Sequence, residues 1–342
     1  MLFLLPCFIL ERNIQGNQMI YKNVLAAIGN TPIVEVDFGN TKARIGAKLE
    51  YLNPGGSVKD RSAIYMIEEA ERKGWLKPGG TIIDASSGNQ GIAVSMIGAA
   101  KGYKVIITVT EKISKEKLMT LKAYGAEVVV CPCVAMDNPH NYHKVALQLQ
   151  KDTPNSFMPN QYFNLSNRQA HYTLLGPEIW HQTAGTITHF FAAAGTSGTV
   201  SGVGRYLKSQ NPDITVVAID AKNSWRSTKG HPQPYAVEGI GVDFDTPVTD
   251  YSVIDEFLAI SDEHALGILQ PLAQQNGLLV GLSSGAVAYA VQQYAPRMKA
   301  GDIGVMIFGD SGRAYLSKGF YGCVEDTVPC AVALKKAKEL TL

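Results

Sequence analysis

Short runs rich in β-branched residues alternate along this chain with longer stretches whose apolar residues recur near helical period, and this alternation constrains the fold more than any other feature. Candidate strands lie at Ala43–Leu49, Thr81–Asp84, Lys104–Thr110, Glu127–Cys131, His189–Ala194, Thr215–Asp220 and Ile303–Phe308. Candidate helices lie at Lys59–Gly74, Asn89–Lys101, Lys115–Tyr124, Tyr142–Lys151, Gly198–Gln210, Asp262–Asn276 and Ser284–Ala295. Strand and helix in this rhythm bury their apolar faces as a parallel sheet crossed by helices, so the expected fold class is α/β. No internal repeat or low-complexity linker breaks the pattern. The length of 342 residues suits either one large unit or two domains. In the second case the core strands divide around Pro154–Asn167, and the cleft between the two groups is the natural ligand site.

Composition narrows the partners. A formal net charge of +1, with 46% hydrophobic and 18% charged residues, offers no surplus charge for nucleic acid or an anionic membrane surface. Small-molecule substrates are the default expectation. The 5 cysteines are scattered and odd in number, which reads as reduced thiols in a cytoplasmic protein. Cys131 and Cys133 followed by His140 and His143 lack zinc-finger spacing, so no metal is expected. The apolar run Met1–Leu10 is too short to span a bilayer and carries no preceding positive charge, unlike a signal peptide. Patterned sequence begins at Ile20, and Met19 is a plausible alternative start.

Four segments carry the chemistry. Asn53-Pro-Gly-Gly-Ser-Val-Lys-Asp-Arg61 turns through two glycines and delivers Lys59 to the first turn of a helix. There the positive end of the dipole lowers an amine pKa and favours the neutral form needed for imine chemistry. Taken alone, a plain turn with a surface lysine fits this segment equally well. Asp84-Ala-Ser-Ser-Gly-Asn-Gln-Gly91 runs from a strand through small hydrogen-bonding residues into an alanine-rich helix, an anion site suited to a carboxylate. Its serines also suit simple helix capping, but Asn89 inside the turn asks for more. Gly195-Thr-Ser-Gly-Thr199 stands between an apolar strand and a helix, which is how α/β proteins hold a phosphate. It matches neither a nucleotide-triphosphate loop nor a dinucleotide fingerprint. Val280-Gly-Leu-Ser-Ser-Gly285 again turns an apolar run through small residues into a helix. Each segment alone suits a bland reading, whereas their order and separations suit one cofactor set in a cleft.

With these segments in hand, the chain resembles the fold-type II pyridoxal-phosphate enzymes of the cysteine synthase and cystathionine β-synthase group. The resemblance covers roughly residues 20 to 321. Besides the segments above it includes Ile28-Gly-Asn-Thr-Pro32, Leu121-Lys-Ala-Tyr-Gly-Ala126 and Glu238-Gly-Ile-Gly241. It implies two open twisted α/β domains with pyridoxal 5'-phosphate in the cleft between them. It places the Schiff base on Lys59, a hydrogen bond to the cofactor's phenolic oxygen on Asn89, and the phosphate in Gly195, Thr196, Ser197, Gly198 and Thr199. Ser283 is expected to face the pyridine nitrogen. Ser86, Ser87, Asn89, Gln90, Gln161, Tyr162 and Gly239 are expected around the amino-acid substrate.

The implied reaction is replacement of the β-substituent of L-serine, or of an O-activated serine, by a thiol through an aminoacrylate, with Lys59 moving the Cα proton. Two departures from the family pattern stand out. Its usual Thr-Ser-Gly-Asn-Thr-Gly appears here as Ser86-Ser-Gly-Asn-Gln-Gly91, and its usual Gly-Thr-Gly-Gly-Thr as Gly195-Thr-Ser-Gly-Thr199, so that Ser197 must adopt a backbone suited to glycine.

Met136–His143, Gln161-Tyr162 and Glu238–Phe244 favour the cystathionine β-synthase branch, with Val242 in place of that branch's frequent tyrosine. Cysteine synthase is the nearest alternative, followed by a dehydratase and a non-catalytic partner-binding homologue. The resemblance further implies a homodimer and a cleft able to take a partner's peptide, and a chain of this length is expected to work without a haem-binding extension or a regulatory module. The expected division is an unassigned extension over 1–19, a catalytic unit over 20–322 and a tail over 323–342. Within the catalytic unit, residues 53–157 form a smaller subdomain and 20–52 with 158–322 a larger one.

Overall fold

The computed structural model describes residues 20–39, 41–135 and 138–322. The extension 1–19, the tail 323–342, and Met136 and Asp137 of the segment Met136–His143 lie outside the described residues.

In chain order the elements are β1 (Ile33–Glu35), β2 (Arg44–Leu49), α1 (Lys59–Arg72), β3 (Thr81–Ala85), α2 (Asn89–Lys101), β4 (Lys104–Thr110), α3 (Lys115–Ala123), β5 (Glu127–Cys131), α4 (Tyr142–Asp152) and β6 (Ser156–Phe157). There follow α5 (Ser166–Ala170), a π-helical turn at His171–Leu175, α6 (Gly176–Gln182), β7 (His189–Ala193), α7 (Gly198–Gln210), β8 (Thr215–Ala221), β9 (Glu256–Ile260), α8 (Asp262–Gly267), α9 (Leu269–Asn276), α10 (Leu282–Tyr294) and β10 (Ile303–Phe308).

The strands form two sheets. One has six strands in the order β1-β2-β10-β7-β8-β9, and the other four in the order β5-β4-β3-β6. Every pairing is parallel except the short β1 against β2. Helices cover both faces of the sheets, which is why β3 is buried along its whole length and β8 along nearly all of it; parallel strands sandwiched this way read as continuous apolar runs. Phe190, Phe191 and Phe308 are fully buried in the six-stranded sheet, each contributing about 2 kcal/mol of hydrophobic stabilisation. The four-stranded sheet keeps its own core, with Ile82, Ile107 and Val109 packed against Ile67, Val94 and Ile97 of α1 and α2.

Some expectations need correcting. The single helix expected over Asp262–Asn276 is two, α8 and α9, parted at Ile268. Pro271 has no N–H to offer the carbonyl of Gly267 and its ring crowds that turn, which interrupts the helix there. The last helix begins at Leu282 rather than Ser284. Strand β9 adds to the expected strands; it lies at a sheet edge and alternates between half-buried and exposed residues, although Phe257–Ile260 is a short apolar run. Among the described residues no helix is long and apolar enough to cross a membrane.

The loops that matter lie beyond the carboxyl ends of β3, β7 and β10, where parallel sheets bind ligands.

Candidate active site

Lys59 opens α1 and is held by its neighbours on two sides. Val58 N–H donates to the Gly309 carbonyl beyond β10 (2.8 Å), and Lys59 N–H donates to Ser57 Oγ (3.2 Å). Although Lys59 keeps some accessible surface, the protein packed around it disfavours the ammonium form and lowers the pKa to about 8, against an opposing pull from Asp310. Burial is thus the leading cause, where its position in the sequence pointed to the helix dipole.

Two residues along, Arg61 faces the other way. Its guanidinium forks onto Glu50 (2.7 and 2.8 Å) and Glu178 (2.8 and 2.9 Å), and Lys48 also pairs with Glu178. Asn53 donates to Glu50 (2.9 Å), Thr31 Oγ1 donates to Glu50 (2.7 Å), and the N–H groups of Asn30 and Thr31 donate to Glu178 (3.0 Å each). Burial raises the Glu178 pKa, but Arg61 and Lys48 outweigh it and hold the carboxyl down at about 2. This network ties the 28–32 segment, α1 and α6 together and so fixes the turn that presents Lys59.

Lys59, Asn89, Gly195, Thr196, Ser197, Gly198, Thr199, Gly239 and Ser283 line one pocket. Asn89 Nδ2 donates to Asp310 (2.7 Å), which also accepts from Tyr315 Oη (2.6 Å); burial raises the Asp310 pKa, while Lys117, Tyr315 and Asn89 oppose the rise. Arg226 binds the carbonyls of Ala194 and Gly195, which faces the loop's acceptors away from an anion. Gly195 is required by space, since a Cβ there would meet the Gly239 carbonyl at 2.8 Å. Asn167 Nδ2 donates to Thr196 Oγ1 (3.1 Å), and a Cβ on Gly198 would run into the Asn167 amide. A helix start leaves N–H groups without intrahelical partners, and Thr199 stands in that first turn of α7 on the pocket wall.

Ser86, Ser87, Gln90, Gln161 and Tyr162 are not on the lining of this pocket. Ser86 Oγ accepts from the N–H groups of Gly88 (3.3 Å) and Gly91 (3.1 Å), and Ser87 Oγ accepts from Thr110 N–H (2.7 Å), so both hydroxyls brace the β3–α2 loop. Gln90 is buried beside Asp84, whose pKa burial raises to about 7 despite hydrogen bonding from the Ala85 backbone and Gln90. That contact is loose, for neither end of the Gln90 amide has a partner at hydrogen-bonding distance and geometry. Gln161 is buried with its Oε1 unpartnered, and the Tyr162 ring meets Phe244 edge-on at 5.4 Å.

Asp310, Glu178, Glu50, Asn167 and Arg226 were missed in the sequence. Gly309-Asp-Ser-Gly312, directly after the apolar strand Ile303–Phe308, was the one available signal, a strand-end turn like the three already singled out.

A pocket combining a lysine of lowered pKa, a glycine-rich helix start and a buried unpartnered hydroxyl on Ser197 fits a phosphorylated carbonyl cofactor. The family model "Pyridoxal-phosphate dependent enzyme" matches residues 24–309, and the chain belongs to that family. It is 44% identical to the cystathionine beta-synthase of Apis mellifera, over 87% of this chain and 61% of the bee protein. It is 39% identical to a cysteine synthase of Staphylococcus aureus, over 87% of this chain and 96% of the relative. Among solved structures, the O-acetylserine dependent cystathionine beta-synthase from Helicobacter pylori superposes with a TM-score of 0.83 at 38% identity, covering 89% of this chain and 99% of that one. The chain therefore spans less than two thirds of the bee relative and nearly all of the two bacterial ones.

Proposed function

We propose that this chain replaces the β-hydroxyl of L-serine with the thiol of homocysteine, forming cystathionine. The observation that carries the β-replacement reading is the convergence of Lys59, Asn89, the 195–199 loop and Ser283 on one pocket. When bound, the cofactor supplies an electron sink for the substrate's Cα.

Lys59 would hold the cofactor, and its Nζ is the group that would take the substrate's Cα proton. A pKa of about 8 leaves roughly a tenth of the amine neutral at pH 7, against well under a thousandth for an ordinary lysine. Asn89, held by Asp310, orients the ring oxygen. Ser283 would offer a neutral hydroxyl, and no carboxylate, to the ring nitrogen, an environment that would favour loss of the β-substituent over racemisation. The backbone of 195–199 and the start of α7 take the phosphate. Ser86, Ser87, Asn89, Gln90 and Gln161 receive the substrate carboxylate once the β3–α2 loop shifts over it.

Choice of the serine hydroxyl as leaving group rests on Tyr162, whose ring packs against Phe244 and thereby joins the two segments that favour this branch. Val242 and the Staphylococcus aureus relative support a second reading, O-acetylserine with sulfide. The catalytic unit divides into residues 53–157 and residues 20–52 with 158–322, works as a homodimer, and leaves its cleft open to a partner's peptide.

Initial rates with each donor and thiol pair test the choice. Turnover of serine with homocysteine at a rate above that of O-acetylserine with sulfide supports the proposal. Turnover of the acetyl ester and sulfide alone makes the chain a cysteine synthase, and pyruvate release without thiol uptake makes it a dehydratase.

A further inference from the structure

Six described non-glycine residues have positive φ: Asn30, Asn155, Asn160, Ala184, Ser197 and Lys229. Three are asparagines, which tolerate the left-handed region, and of the six Ser197 alone is buried. At φ 64° and ψ 5° it sits immediately before α7 as its N-cap. A buried L-residue in this conformation carries strain that persists where something nearby offsets it.

Serine at an N-cap ordinarily earns its place by accepting an N–H from the helix's first turn. Ser197 does not, for its side chain makes no capping hydrogen bond. Its Oγ is buried and has no partner at all, while the residue lines the pocket that holds Lys59. The neighbouring hydroxyl of Thr196 already accepts from Asn167 and from Gly198 N–H, so that hydroxyl is committed within the protein while the one on Ser197 is spare. An unpartnered buried hydroxyl at the start of a helix, in an anion-binding loop, suits a ligand with acceptor oxygens.

We propose that Ser197 Oγ donates a hydrogen bond to the cofactor's phosphate, adding a side-chain ligand to the backbone donors of the loop. This rests on the cofactor assignment above and goes beyond it: the serine is a gripping residue rather than a tolerated replacement for glycine. A charge-assisted hydrogen bond of this kind corresponds to about a tenfold change in affinity.

The test titrates apoprotein with pyridoxal 5'-phosphate and, separately, with pyridoxal, which lacks the phosphate. The parent protein, Ser197→Ala and Ser197→Gly are compared by bound-cofactor absorbance. Alanine keeps the Cβ and the strained backbone and removes only the hydroxyl; glycine removes both. Both variants are expected to bind the phosphorylated cofactor about tenfold more weakly with pyridoxal binding unchanged. A general loosening of the pocket would weaken both ligands together, and that result overturns the proposal, as does an unchanged preference for the phosphorylated form in Ser197→Ala. If the parent binds neither ligand, the cofactor assignment falls as well.

Discussion

The first turn of α1 stands between two regions of opposite character. On the side of Arg61, the buried charges are matched: Arg61 and Lys48 meet Glu50 and Glu178 with hydrogen bonds to spare from Thr31, Asn53 and the backbone. On the side of Lys59, polar groups are left over, with the hydroxyl of Ser197, one oxygen of Asp310 and both ends of the Gln90 amide unpartnered. Satisfied buried networks specify one geometry, whereas unsatisfied groups cost stability and mark where a ligand is awaited. Lys59 is positioned by the first region and employed in the second.

The contrast breaks most sharply at Lys59 itself. Lys59→Ala is expected to lower β-replacement at least about a thousandfold, since both covalent attachment and Cα-proton transfer are lost, with no loss of melting temperature because an amine is removed from a burying site. Steady-state rates and thermal melts read the two effects.

Breaking the matched region reverses that pattern. Glu178→Gln leaves Arg61 and Lys48 under-compensated and is expected to cost about 3 to 5 kcal/mol in urea unfolding. Cofactor affinity in the molecules that stay folded is expected to change far less than stability does.

The two regions also differ in their response to pH, with opposite signs. The Glu178 pKa is held at about 2, below its ordinary value of 4.5, so its stabilisation is present above about pH 4.5 and is lost as pH falls through about 2. Asp84, at the edge of the unsatisfied region, is raised from 3.8 to about 7; the unfolded chain then releases its proton first, so stability is full below about pH 4 and declines as pH rises to about 7. Asp84→Asn removes that decline. Its stability relative to the parent is expected to improve by about 4 kcal/mol between pH 4 and pH 8, as read from urea midpoints.

The smallest expected effect sharpens the contrast within the β3–α2 loop. Ser86→Ala removes an acceptor for two backbone N–H groups and is expected to cost about 1 kcal/mol. The Michaelis constant for the amino-acid donor is expected to rise with it, because the same loop receives the substrate carboxylate.

Much of this arrangement was legible in sequence. Lys104–Thr110, Glu127–Cys131 and Ile303–Phe308 are bounded to the residue, because each is an uninterrupted run rich in β-branched residues, whether it lies inside its sheet, as β4 and β10 do, or at the edge, as β5 does. The turns at Asn53–Val58, Ser86–Gly88 and Gly195–Ser197 announced themselves through glycine and serine directly after such runs or before a helix. Edge strands β1 and β9 are fainter, since β1 is only 3 residues long and β9 alternates between half-buried and exposed positions. The partners of the site were hidden for a different reason: Asp310 reaches Asn89 across 221 residues and Glu178 reaches Arg61 across 117, and no local pattern announces a contact so distant in the chain. Pro271 is the one local signal for the break between α8 and α9, since it cannot donate to the Gly267 carbonyl.

The most direct test of the central claim is to reduce the cofactor-loaded protein with borohydride, digest it, and locate the phosphopyridoxyl group by mass spectrometry. The account predicts that group on the peptide containing Lys59. Its appearance on another buried lysine, such as Lys48 or Lys117, or its absence from every peptide, would contradict the account.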